Sequence, residues 1–418
     1  MPRFLYTLAV IALLPWALLH LLWRARRQPD YLRHWGERFG LYPAVSPLPT
    51  IWIHAVSVGE TRAAQPLIAA LRQRYPAHRI LLTHMTPTGR ATSEALFGSD
   101  VTRCYLPYDT PWAVRRFLRH FQPTVGLIME TELWPNLIAR CKAANTPLLL
   151  VNARMSGKSV RRYARFARLT RDALNQLSAI SAIGEQDAAR LISLGASQVD
   201  IFGNLKFDIA PPDDFPDFRA LTGDRAVFLC ASTRAGEESL ILAAWREKVG
   251  AGATAPLLII VPRHPQRFDE VASLIAGQGL RLQRRSSGEA VAADTQVWLG
   301  DSMGELPAYY AAADLAFIGG SLLDFGCQNL IEACAAGTPV LIGPSTYNFA
   351  EAAGAALAAG AARQVGNAAE LVDMARTLSS DHVARTLMGT AGIHFAAAHR
   401  GATARNLALI ERFIPATR

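Results

Sequence analysis

The chain alternates between short runs of continuous Val, Ile and Leu and longer segments whose apolar residues recur every three or four positions. The first pattern predicts buried strands and the second amphipathic helices. The stretch IWIHAVSVGETRAAQP, residues 51–66, shows the unit in miniature. It opens at strand spacing, turns through Val58-Gly59-Glu60 and continues into TRAAQPLIAALRQRY at helical spacing. After it come RILLTHMT, a TSEALF helix, VTRCYLPYD, a WAVRRFLRHF helix, TVGLIMETE, LWPNLIARCKAA, PLLLVNAR, a long basic helix over residues 157–174, LSAISAIG, a short helix and VDIFGNLKFD. Strands and helices in alternation predict an α/β fold with a parallel sheet covered on both faces, a Rossmann-like half over residues 28–209.

Residues 210–225, APPDDFPDFRALTGDR, interrupt the pattern and predict a linker. Asp213 and Asp214 lie there between prolines and away from any strand, which suits solvent better than a metal. Alternation resumes with AVFLCAST, a GEESLILAAW helix, APLLIIVPRHP, a FDEVASLIAG helix, TQVWLGDS, a GELPAYYAAA helix, LAFIGGS, a NLIEACAAG helix and TPVLIGP, with further helices from Phe349. A second Rossmann-like half therefore occupies residues 226–401. The helical tail over residues 402–418 is free to pack back on the first half.

The N-terminus departs from this alternation. FLYTLAVIALLPWALLHLLW, residues 4–23, matches the ~20 apolar residues that span a bilayer, with Trp16 and Trp23 along it and Arg24, Arg26 and Arg27 directly after. Residues 1–27 thus read as a membrane anchor, and the arginines place the remainder on the cytoplasmic side. Pro15 and His20 leave open whether it spans or lies in the interface. In the connector that follows, Tyr31, Trp35 and Phe39 at a spacing of four predict a short amphipathic helix.

Composition adds limits. A chain of 418 residues, 50% hydrophobic, has material for two cores. Its net charge of +9 comes without a lysine-rich tail or interleaved basic and aromatic residues, so it suits an anionic membrane surface or a phosphorylated ligand and not nucleic acid. Five cysteines without a CxxC pair argue for reduced thiols. Lys158, Arg161, Arg165 and Arg168 share one face of the basic helix, which serves equally as a solvated face or as a contact to anionic lipid.

Polar residues gather where strands end: Glu60, Thr86 to Arg90, Glu130 and Glu132, and Asn152 to Ser156 in the first half; Ser232 to Glu238, Pro262 to Arg267, Gly300 to Glu305 and Gly319 to Glu332 in the second. Ligands of open α/β sheets bind at those carboxyl ends. Glu60 there is either a proton acceptor or a first-turn acid favoured by the helix dipole. Arg263 presents a fork matched to phosphate or carboxylate. Glu332, one turn into its helix, would repel phosphate and suits a ribose hydroxyl instead. No P-loop, HExxH or GxSxG motif occurs, which leaves group transfer by a general base as the reading.

The segments IWIHAVSVGET, GLIMETELWPN, VNARMS, GNLKFD, VPRHPQRF, GDSMGELPAYYAAADLAFIGGSL, NLIEACAAGTPVLIGP and YNF together resemble the 3-deoxy-D-manno-octulosonic acid (Kdo) transferases of lipopolysaccharide assembly. The resemblance implies a glycosyltransferase of the B type, two Rossmann-like domains facing a cleft, that moves Kdo from CMP-Kdo to the lipid A precursor with inversion. It implies Glu60 as the base, with Glu130 and Lys206 supporting the transition state. Contacts to CMP fall on Pro262, Arg263, Met303, Gly304, Glu305, Asn329, Leu330, Ile331 and Glu332, a helix starting near Asn329 offering its N–H groups to the phosphate. Where the family pattern has glycine and histidine, this chain has Cys327 and Gln328, and glutamine donates a hydrogen bond without carrying charge. No cofactor, metal or obligate protein partner is expected. The competing readings are another lipid-directed nucleotide-sugar enzyme, an epimerase of the same fold included, and a catalytically idle nucleotide-sugar sensor.

Overall fold

The computed structural model describes residues 2–209, 215–249 and 256–414, so Asp213 and Asp214 lie outside the described residues. Two compact units emerge, one of Met1–Ile209 with Arg400–Arg418 and the other of Ala210–His399.

The first unit holds strands β1 (Thr50–His54), β2 (Arg79–His84), β3 (Thr102–Tyr105), β4 (Pro123–Met129), β5 (Leu148–Ala153), β6 (Ala179–Ala182) and β7 (Asp200–Ile201). They form one parallel sheet in the order β3-β2-β1-β4-β5-β6-β7. Strand order reverses between β1 and β4, the crevice position at which such sheets bind ligands. Alternation along β1 sends Ile51 and Ile53 into one core and Trp52 into the other, so both faces are dry. Trp52 packs edge-on to Phe117 at 4.9 Å and lies over its β4 neighbour, Gly126, where a Cβ would sit 2.6 Å from the indole. Only glycine fits under that ring.

The second unit holds β8 (Val227–Thr233), β9 (Leu257–Pro262), β10 (Leu282–Arg284), β11 (Val297–Leu299), β12 (Leu315–Ile318), β13 (Val340–Ile342) and β14 (Ala362–Gln364), all parallel in the order β10-β11-β9-β8-β12-β13-β14. Here the reversal falls between β8 and β12.

Four expectations change. The basic segment 157–174 is two helices, Gly157–Ala164 and Ala167–Leu174, because Phe166 leaves helical geometry (φ −121°, ψ 40°) and the Thr170 hydroxyl bonds to the Tyr163 carbonyl. The connector forms two 3₁₀ turns, Pro29–Leu32 and Trp35–Phe39, and not one helix, since His34 between them takes a left-handed φ of 56°. Part of the expected linker 210–225 is ordered structure: the helix Phe218–Thr222 sets Phe218 against Trp298 and Tyr309, with ring centroids 5.2 and 4.7 Å apart. The short edge strands β10 and β14 fall in segments that carried no strand pattern.

The last helix, Ala402–Glu411, belongs to the first unit, where Ala402, Leu409, Ile410 and Ile414 complete the core beneath Ile51 and Ile53. Asp208 accepts hydrogen bonds from the Gly401 and Thr403 amides, and Asn406 accepts one from the Ser181 hydroxyl at 2.6 Å. At the other end of the chain, helix Pro2–Ala25 runs along the same unit.

Candidate active site

Glu60 follows β1 and Glu130 follows β4, so the two carboxylates stand at adjacent strand ends on either side of the reversal. Ser57 caps the helix Val58–Ala63 by accepting from the Glu60 amide at 3.3 Å, and Glu60 reaches back to accept from the Val56 amide and the Ser57 hydroxyl, both at 2.8 Å. This reciprocal arrangement resembles a capping box, with the amide before the cap residue and the cap hydroxyl as the donors, and it fixes the carboxylate's position. Glu60 is therefore the first-turn acid of one reading, and it also has the proton affinity of the other. Burial first, then the negative charge of Glu130, push its carboxyl up to about 7 against the opposing pull of the two hydrogen bonds. Gly59 beside it is open on its side-chain face: a Cβ there would meet only Ser57 Oγ, at 3.8 Å.

Glu130 sits at a left-handed φ of 57°, its amide bonded to the Val151 carbonyl, and its carboxylate lies 3.7 Å from Lys206 Nζ. Glu132 in the same turn is also raised, chiefly by burial. Lys206 is delivered by a built loop: Asn204 Oδ1 accepts from the Lys206 amide, and buried Asn152, itself at φ 53°, accepts from the Leu205 amide at 2.9 Å. Non-glycine residues in the left-handed region carry a cost of order 1–3 kcal/mol that the surroundings must enforce, and such residues cluster at functional sites.

In the second unit the strand ends carry positive charge. Pro262 closes β9, and Arg263 follows with its amide on the Thr233 carbonyl and its Nε 3.2 Å from Gln328 Oε1. Gln328 accordingly accepts a hydrogen bond and orients the guanidinium. His264 contacts Arg234 at 3.1 Å, and burial together with the charges of Arg234, Arg263 and Arg267 lowers its pKa and favours the neutral ring. Gly319 passes so close to Ser232 that a Cβ would lie 2.5 Å from its carbonyl oxygen. Glu237, wholly buried, holds that loop by accepting from the amides of Arg234, Gly320 and Leu322 at 2.7 to 2.9 Å. Glu238 beside it accepts from Thr233 and from both terminal nitrogens of Arg267.

Met303 is exposed and Gly304 has φ 84°, while Glu305 accepts from Arg285 at 3.0 Å through one oxygen and leaves the other buried without a partner among the described residues. Leu330 and Ile331 turn their side chains into the core, so only their backbone faces a ligand. The helix expected from Asn329 begins at Ile331 and is one turn long, Ile331–Ala335. Asn329 itself occupies the Ile331 amide and donates to Glu332 Oε1 at 2.8 Å. Fewer N–H groups face outward there than the sequence suggested.

Sequence reasoning marked the turn Ser232 to Glu238 and the turn from Asn152 but assigned no role within them. An acid pair at the start of a helix after a first strand is a visible signal for Glu237. The left-handed Asn152 has no such signal. Among the described residues no group of three or more His, Cys, Asp or Glu side chains could hold a metal ion.

Two parallel-sheet α/β units with polar residues at the reversal of each sheet define the fold of the B-type glycosyltransferases. A glycosyltransferase from Rickettsia africae aligns over 89% of this chain and 100% of its own with a TM-score of 0.61, and at 12% identity this speaks to fold alone. The family model "Glycosyl transferases group 1" matches residues 257–395, and the model "3-Deoxy-D-manno-octulosonic-acid transferase (kdotransferase)" matches residues 33–209. A 3-deoxy-D-manno-octulosonic acid transferase of Bordetella pertussis is 44% identical, covering 99% of this chain and 100% of its own. One of Haemophilus influenzae is 36% identical over 99% of both chains. The chain belongs to the Kdo transferase family, and it is a transferase enzyme.

Proposed function

We propose that the protein transfers Kdo from CMP-Kdo to a hydroxyl of the lipid A precursor, with inversion and with Glu60 as general base. The observation that carries this reading is a buried carboxylate fixed at the reversal of the first sheet whose proton affinity sits near neutrality. A base is most effective when its pKa lies near the working pH. The acceptor hydroxyl gives its proton to Glu60 as its oxygen bonds to the anomeric carbon of Kdo. The bond from that carbon to the CMP phosphate breaks in the same displacement, and CMP leaves with the electron pair. Lys206 neutralises the Kdo carboxylate or the departing phosphate, and Glu130 holds Lys206 and sets the charge around Glu60. Arg263, oriented by Gln328, binds the donor phosphate. Glu332 and the unpartnered oxygen of Glu305 accept from donor hydroxyls, with Pro262, Met303, Gly304, Asn329, Leu330 and Ile331 completing the donor contacts through backbone and surface. Cofactor and metal are not required in this scheme. The N-terminal helix holds the enzyme at the cytoplasmic face of the bacterial inner membrane, where both substrates meet.

The test is a transfer assay on the detergent-purified full chain with CMP-Kdo generated in place and a tetra-acylated lipid A precursor, read by product mass. Wild type is expected to add Kdo, and Glu60→Ala to bind CMP as wild type does while transferring at least about 100-fold more slowly. Binding of CMP without transfer to any lipid A precursor by wild type would return the protein to the sensor reading.

A further inference from the structure

The helix Pro2–Ala25 is long and apolar enough to cross a membrane, yet its less exposed positions form one unbroken stripe. Tyr6, Val10, Leu14, Ala17, Leu21 and Ala25 recur at intervals of three and four from one end to the other, half-exposed as far as Ala17 and buried at Leu21 and Ala25. Polar residues sit on that stripe. Tyr6 donates to Asp109 and Thr7 to Asn136, each at 2.9 Å, and at the far end Leu21 and Ala25 close a small core with Tyr31. Asp109 is itself held inside the globular unit by the amides of Asn136 and Leu137. The outward row is the reverse, made of Phe4, Leu5, Leu8, Leu13, Trp16 and Leu19.

A helix that crosses the bilayer over residues 4–23 puts its two ends about 30 Å apart on opposite sides of the hydrocarbon. Tyr6 and Ala25 instead both rest on one globular unit, which has no place inside the hydrocarbon. Trp16 points the same way. It would lie near mid-bilayer in a crossing helix, whereas tryptophan prefers the headgroup level, and here it stacks outward on His20 at 5.3 Å, with His20 stacked on Trp23 at 5.8 Å. Exposed Phe166, flanked by exposed Arg165 and Arg168, begins the turn into helix Ala167–Leu174, against which the N-terminal helix packs. Apolar side chains rimmed by arginine match an anionic leaflet.

We infer that the N-terminal helix lies in the plane of one anionic phospholipid leaflet, its outward row in the acyl region and its less exposed stripe toward the protein, and that it does not cross the bilayer. This goes beyond the transfer reading, and either can fail without the other. All five native cysteines are buried, so the unaltered chain is a low-background host for single cysteines. Arg3→Cys, at an exposed position, and Arg246→Cys, on an exposed site of the other unit, are each introduced into the full chain in cells. Labelling with a membrane-impermeant maleimide is compared between sealed inverted vesicles and spheroplasts. The expected result is that both cysteines label in inverted vesicles and neither in spheroplasts. Labelling of Arg3→Cys in spheroplasts, or in neither preparation until detergent is added, overturns the inference.

Discussion

Glu60 and Glu237 occupy matching places, each in the first turn of the helix after the first strand of its sheet, and the fold uses them in opposite ways. Burial raises the proton affinity of both. Glu237, with no exposed surface, spends its oxygens on three backbone amides and so shapes the loop through Gly320. Glu60, 8% exposed, accepts from one amide and one hydroxyl and keeps a little of its surface open. The surroundings follow suit. Beside Glu60 stand Glu130 and Glu132, whose charges raise its proton affinity; beyond Glu237 stand Arg234 and Arg263, whose charge suits an anion. Sequence position alone does not assign chemistry to a carboxylate. The number of donors that already claim its oxygens does.

The comparison breaks most sharply in stability. Glu237→Leu strands two buried amides and one part-buried amide at roughly 1–3 kcal/mol each, so the second unit is expected to lose about 3 kcal/mol or more in urea unfolding. Glu60→Leu is expected to stay within about 1 kcal/mol of wild type, because the Ser57 cap is kept and the part-buried Val56 amide left without its acceptor is offset by removing a buried carboxylate. Equal losses would show that both are structural.

Next in size is donor binding. Arg263→Ala removes a charge-assisted contact and is expected to weaken CMP about 10-fold or more by calorimetry, with the pH profile of transfer unmoved. A displaced profile would mean that the two regions do not divide the chemistry.

On the proposed mechanism, transfer at limiting substrate is expected to fall as pH drops through about 7, since a protonated Glu60 cannot take the acceptor's proton. Glu130→Gln deletes a charge that favours the protonated form, so the acid limb moves to lower pH even as the rate declines. A limb that stays in place or moves up would unseat Glu60 as the titrating group.

The smallest effect is expected at Cys327, a buried residue with φ 66°. Cys327→Gly relieves the left-handed strain while losing a small packed side chain, and a melting shift of no more than a few degrees is expected. A large drop would mean that the thiol's packing holds the loop.

What the sequence made legible follows from where the physics is local. Strands such as IWIH and LLIIV announce themselves because both faces are dry, and Glu60 stands out as an acid at a strand end. The edge strand Leu282–Arg284 is only half-buried and shows no apolar run, so it passes unread. The break at Phe166 and the left-handed geometry of His34, Glu130 and Asn152 depend on partners distant along the chain. The same is true of the site. Residue types at Glu60, Glu130, Lys206 and Arg263 could be named, but the roles of Asn152, Gln328 and Glu237 depend on which amide or guanidinium each one meets.

The C-terminal helix has a consequence for synthesis. Residues 50–201 carry every strand of the first sheet and leave the ribosome early, yet the core that holds Ile51 and Ile53, covered in part by Leu67, Ile68 and Leu71, stays incomplete until Ile410 and Ile414 emerge. The second unit, uninterrupted between Ala210 and His399, can close in the meantime. The half that is translated first is thus the half that is finished last, and a nascent chain stalled before residue 400 displays an unfilled apolar face for chaperones to hold.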